Sequence, residues 1–156
     1  MYQNILVAID NSNHTPKIVD NAIKTALAYH SKITLCHIKQ ETIIYNPIES
    51  SLDPTGMMMV PPIITQDFSD SMDDVLEKIK QEILNAQVKE VEIVQTFSAA
   101  PGLTIAENIV PENHIDLIIC GASNKSTFDR FLLGSVTSEI IQHTTCDIKL
   151  VHLPKD

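Results

Sequence analysis

Two rhythms of apolar and polar residues run along the chain. Asn4-Ile5-Leu6-Val7-Ala8-Ile9 is a short apolar run, the pattern of a strand covered on both faces. Asp10-Asn11-Ser12-Asn13 follows as a turn and cap cluster, and Pro16 suits the first turn of a helix. Val19, Ala22, Ile23, Ala26 and Leu27 recur at helical spacing and give that helix one apolar face. Residues 33–38 read as a second strand. From about Gln40 to Ser69 the texture changes. Pro47, Pro54, Pro61 and Pro62 break regular structure, and Met57-Met58-Met59 lies among them, which predicts a mobile insertion around 40–69. Residues 70–87 predict a helix with Met72, Val75, Ile79 and Ile83 on one face. Residues 91–97 form a third strand. Pro101-Gly102 opens a short helix that Pro111 should end. Residues 115–120 make a fourth strand, a polar stretch runs from Gly121 to Gly134, a last helix covers 135–143, and 148–152 is the final strand.

Strands and helices thus alternate through one domain, residues 1–156. Apolar strands in that order predict a parallel sheet covered on both faces. Right-handed crossovers make it a doubly wound α/β sandwich of five strands, Rossmann-like. Such sheets bind ligands beyond the carboxyl ends of the strands, where strand order reverses. Three places qualify: Ala8-Ile9-Asp10, His37-Ile38 and the stretch from Gly121.

Composition sharpens this picture. Eleven Lys and Arg face 20 Asp and Glu, a net charge of −9. That balance disfavours nucleic acid and anionic membrane surfaces as partners. The chain has no signal-like start and no apolar stretch of bilayer length, so the expected compartment is the cytoplasm. Cys36, Cys120 and Cys146 are widely spaced inside apolar runs, the pattern of small buried hydrophobes rather than disulfide or metal ligands. No metal site is expected. Glycine is scarce: there are 4, Gly56, Gly102, Gly121 and Gly134, where average usage gives about eleven.

Two of these glycines frame one loop, which also holds Lys125 and the only arginine, Arg130. The loop leaves a strand and ends where a helix begins, and a helix N-terminus attracts anions. Gly121 would let the chain turn sharply as it leaves the sheet. Gly134 would let a ligand approach closely, with the hydroxyls of Ser135 and Thr137 beside it. The loop is neither a Walker A sequence nor G-x-G-x-x-G. His37, His114 and His143 sit at separate element ends, with no nucleophile fixed by spacing. No catalytic residue is expected.

At this level of detail the chain resembles the universal stress protein family, essentially end to end. The resemblance rests on Ile5-Leu6-Val7-Ala8-Ile9-Asp10-Asn11-Ser12, on Cys36-His37-Ile38, on Ala99-Ala100-Pro101 where the family often has Gly-x-Pro, and on Gly121-x-x-Asn124, nine residues, then Gly134-Ser135. The family's ATP-binding branch carries G-x-x-G-x(9)-G-[ST] there, and Asn124 replaces its second glycine. The resemblance implies an adenine nucleotide alpha hydrolase-like fold and a non-enzymatic, ATP-binding sensor or regulator of the stress response. By position, Ala8 and Asp10 would lie at the ribose and adenine end, and Ile38 would meet the base through its backbone. Gly121, Ser123, Asn124 and Lys125 would wrap the phosphates. Gly134, Ser135, Val136 and Thr137 would close the site from the helix side. Mg2+ would come only with the nucleotide. The family's usual assembly implies a homodimer through residues 147–153. The alternative is a dimeric, stress-related interaction protein whose nucleotide site has degenerated at Asn124.

Overall fold

A computed structural model describes residues 1–10, 12–44, 63–66, 71–122 and 134–153. The elements are β1 (Asn4–Ala8), α1 (Thr15–Tyr29), β2 (Lys32–Ile44), β3 (Ile63–Gln66), α2 (Ser71–Asn85) and β4 (Val91–Ser98). Then come α3 (Pro101–Leu103), a π-helical turn (Thr104–Ile109), α4 (Val110–Glu112), β5 (Leu117–Ala122), α5 (Ser135–His143) and β6 (Asp147–His152). Five strands form the expected parallel sheet, in the order β4-β2-β1-β5-β6.

Two expectations are corrected. The region from 40 to 69 is not devoid of regular structure. β2 runs on to Ile44, and β3 pairs with its far end antiparallel, Ile43 opposite Ile64 and Ile44 opposite Ile63. Thr42-Ile43-Ile44 and Ile63-Ile64-Thr65 are β-forming and contain no proline, so the breakers fall outside the paired segments. The rest of the expected insertion lies outside the described residues. The second correction concerns Pro111, which does not end its helix. Helix continues as Val110–Glu112 after the π-helical turn. Val110 N–H bonds the Ile105 carbonyl five residues back, so the ladder widens just ahead of the proline ring. A proline ring inside a regular α-ladder would clash with the carbonyl four residues earlier.

Alternation along the strands sends side chains to two cores. Ile5, Val7, Ile9, Ile33, Leu35, Leu117 and Ile119 pack against α1 and α2 residues such as Ile18, Val19, Leu76 and Ile83. Leu6, Cys36, Ile118 and Cys120 pack on the other face against Ile105, Ile109, Val110 and Ile140. Burying each large side chain contributes about 1.5–3 kcal/mol.

Cys36 and Cys120 are buried as expected, and Cys146 is partly so. Burial pushes the Cys36 thiol up to about 12 and the Cys120 thiol up to about 11, from an ordinary 9.0. The unfolded chain therefore loses these protons first as pH rises. Between 9.0 and those values the native state holds more protons, so stability falls with rising pH and is intact below that window. The unfolding midpoint should decline progressively above about pH 9. A Cys36→Val chain should decline less steeply in the same calorimetric scan, and an identical slope would refute the cause.

Candidate functional site

Strand order reverses at β1, which lies between β2 and β5. Ala8 pairs with Cys36 on one side, and Val7 pairs with Ile119 on the other. The carboxyl ends of β1 and β5 therefore lie side by side, as expected, but against the middle of β2: because β2 runs on to Ile44, His37 and Ile38 lie within that strand rather than beyond its end. Beyond β1, Ile9 donates its N–H to the Cys36 carbonyl at 2.8 Å. The His37 ring nitrogen Nδ1 lies 2.9 Å from the Ile9 carbonyl, which can only accept, so Nδ1 carries the proton.

Asp10 follows and is exposed. Its Oδ1 accepts from the Ser12 hydroxyl at 2.6 Å and from the Ser12 N–H at 3.3 Å. Its carbonyl accepts from the Thr15 hydroxyl at 2.7 Å, at the start of α1. The expected turn cluster thus orients the carboxylate and anchors it to the helix that follows. Ala8, Ile38 and Val136 are half-buried and pack on the same core, the one beneath α5. Three residues proposed for the site from far-apart sequence positions thus share one apolar floor.

The glycines separate by role. Gly121 does not turn the chain. It lies inside β5, paired with Val151, and its backbone avoids the left-handed region. A Cβ there would come within 2.8 Å of Leu153 Cδ1 and 3.0 Å of Ile18 Cδ1. Its smallness serves packing under α1. Gly134 is the reverse case. Its backbone is extended at φ −60° and ψ 159°, which any residue adopts. Among the described residues, no atom lies within 4 Å of where its Cβ would be. Gly134 caps α5 without any side-chain hydrogen bond, and the first-turn N–H groups of a helix lack intrahelical acceptors. Ser135 is exposed beside it. Thr137 is buried instead and donates its hydroxyl to the Gly121 carbonyl at 3.2 Å, tying α5 to β5. Ser123, Asn124, Lys125 and Arg130 lie outside the described residues.

Sequence reasoning missed two contacts that hold this arrangement. Gly102 donates its N–H to Glu139 Oε2 at 3.1 Å, so a carboxylate of α5 caps the start of α3. A Cβ on Gly102 would lie 2.5 Å from Glu139 Cβ and 2.6 Å from the Val136 carbonyl oxygen. The Pro101-Gly102 pair was the available signal, since glycine just inside a helix start is otherwise unfavourable. The second contact is the His37 bond to Ile9, which no spacing rule announces. At the rim, Asp73 accepts from Gln95 at 3.0 Å and from Lys39 at 3.4 Å. Those bonds hold its carboxyl below the usual carboxylate range, Gln95 foremost. Among the described residues, no group of three or more His, Cys, Asp or Glu side chains is arranged to hold a metal ion.

Residues 1–152 match the family model described as the Universal stress protein family. The chain belongs to the universal stress protein family. A putative universal stress protein of Staphylococcus saprophyticus is 28% identical over 158 residues, spanning 99% of this chain and 88% of the relative. The universal stress protein UspA from Lactobacillus plantarum superposes with a TM-score of 0.72 at 20% identity, covering 96% of this chain and 97% of that one. A universal stress protein solved in complex with cAMP superposes with a TM-score of 0.67 at 22% identity, covering 97% of both chains. These likenesses establish the Rossmann-like architecture of this universal stress protein. No helix among its described residues is long and apolar enough to cross a membrane.

Proposed function

We propose that this universal stress protein binds an adenine nucleotide, ATP foremost, and acts as a cytoplasmic sensor or regulator rather than an enzyme. The observation that carries the reading is the N-terminus of α5. It opens without a side-chain cap at Gly134, where a missing Cβ leaves room that no described atom fills. Uncapped N–H groups with helix-dipole charge suit a phosphate. The adjoining floor of Ala8, Ile38 and Val136 suits the flat face of a base, and the Ile38 backbone would supply its hydrogen bonds. Asp10, oriented by Ser12, would accept from a ribose hydroxyl. Ser135 would meet phosphate directly, whereas Thr137 would act by holding α5 on β5. One solved relative is in complex with cAMP, which supports an adenine nucleotide as the class of ligand. Any Mg2+ would arrive with the nucleotide's phosphates. The edge strand β6 presents Leu150, 42% exposed, and supports a homodimer through residues 147–153.

Calorimetry on nucleotide-stripped protein tests the reading. ATP, AMP and cAMP are titrated separately, and ATP should give saturable heat and raise the unfolding midpoint. At a hundredfold excess over Kd the gain is about 2.7 kcal/mol. Absence of heat and of any midpoint shift at millimolar ATP overturns it. Asn124, standing where the family motif has glycine, favours a second reading as a dimeric interaction protein with a degenerate site. Under that reading the parent binds nothing, and Asn124→Gly creates ATP binding. Sedimentation of both proteins reads the dimer, and a monomer at all concentrations overturns that part.

A further inference from the structure

We infer that His37 is a positioning residue of this site, setting the spacing between the Ile38 backbone and Asp10 through its ring bond to the Ile9 carbonyl. The inference rests on the nucleotide-binding reading above and assigns a role to a side chain outside the proposed contacts.

The argument is geometric. β1 proper ends at Ala8, and the chain must leave the sheet to enter the Asp10 turn. Ile9 is the exit residue, and both of its backbone groups are held by β2. Cys36 takes its N–H at 2.8 Å, and His37 takes its carbonyl at 2.9 Å. In a parallel ladder that carbonyl would normally go to a backbone N–H of the neighbour. Here a side chain one step further along β2 replaces it, and β1 can peel away without orphaning the group. His37 directly precedes Ile38, and Ile9 directly precedes Asp10. One hydrogen bond therefore links the strand that would present its backbone to the base with the residue that would hold the ribose. The bond also fixes the ring, leaving Nδ1 protonated and Nε2 as the free position of the neutral form.

A residue acting this way governs the nucleoside end of the ligand and leaves the phosphate end alone. Three proteins separate the roles: the parent, His37→Asn, whose side-chain amide nitrogen can take the place of Nδ1, and His37→Leu, which donates nothing. Calorimetry with AMP and, separately, with inorganic tripolyphosphate reads the two ends. His37→Leu should weaken AMP roughly tenfold, the equivalent of about 1.4 kcal/mol, and leave tripolyphosphate affinity unchanged. His37→Asn should recover most of the AMP affinity. Parent-like AMP binding by His37→Leu overturns the inference, as does a His37→Asn protein as weak as His37→Leu. Equal loss of AMP and tripolyphosphate also overturns it, because that reports general loosening. If the leucine variant does not fold, nitrogen NMR of the parent ring decides: a bare Nδ1 at neutral pH is incompatible with the bond. A parent that binds neither probe refutes the nucleotide reading itself, an outcome distinct from any contrast between variants.

Discussion

A Gly102→Ala protein should unfold several degrees below the parent. The added methyl group meets Glu139 Cβ at 2.5 Å and the Val136 carbonyl oxygen at 2.6 Å. The second of these is backbone inside α5, so no rotamer change relieves it. Either α3 or α5 must move, and the 3.1 Å bond from Gly102 N–H to Glu139 Oε2 is stretched as they part. Overpacking of this kind costs about 1–3 kcal/mol, which for a domain of this length lowers the midpoint by roughly 2–4 °C per kcal/mol. Because α5 carries the proposed phosphate end, the same variant should also bind ATP more weakly. Scanning calorimetry checks the first effect, and a parent-like midpoint would show that the two helices are not in the contact described.

Gly134→Asp should separate stability from binding, with opposite signs. The position is a helix N-cap with extended backbone, and aspartate is among the best residues there. Its carboxylate would accept first-turn N–H groups that no described side chain caps and complement the helix dipole, leaving the midpoint unchanged or raised by an amount worth about 0.5–1 kcal/mol. The same carboxylate would occupy the anion position. ATP affinity should fall roughly a hundredfold, or about 2.7 kcal/mol. Titration calorimetry and a thermal scan on one preparation read both. Undiminished ATP binding would mean that the phosphates lie away from α5.

These two glycines show what a sequence discloses. The five-stranded parallel sheet covered on both faces follows from period and handedness, which act locally and are written in the residues. The contact of Gly102 with Glu139 joins residues 37 apart, and no local pattern encodes it. The continuation of β2 to Ile44 was hidden because the prolines nearby dominate the composition of the segment, whereas pairing depends on the few residues at its ends. Pro111 misled for a related reason. Its penalty applies to a regular α-ladder, and Thr104–Ile109 is not one. Thr137 is expected to offer its hydroxyl beside Gly134, yet that hydroxyl is given to the Gly121 carbonyl, a direction that spacing alone does not set.

The packing of Gly121 changes how its signature should be used in diagnosis. Its Cβ space adjoins the terminal methyls of Leu153 and Ile18, so packing by itself favours a glycine there. Gly134 has no such neighbour among the described residues, so under the proposed function a ligand is what favours glycine there. In a descendant that has abandoned its nucleotide, the first glycine should persist and the last should drift. A survey that counts the opening glycine as proof of binding would then score silent relatives as active, and the closing glycine is the informative letter.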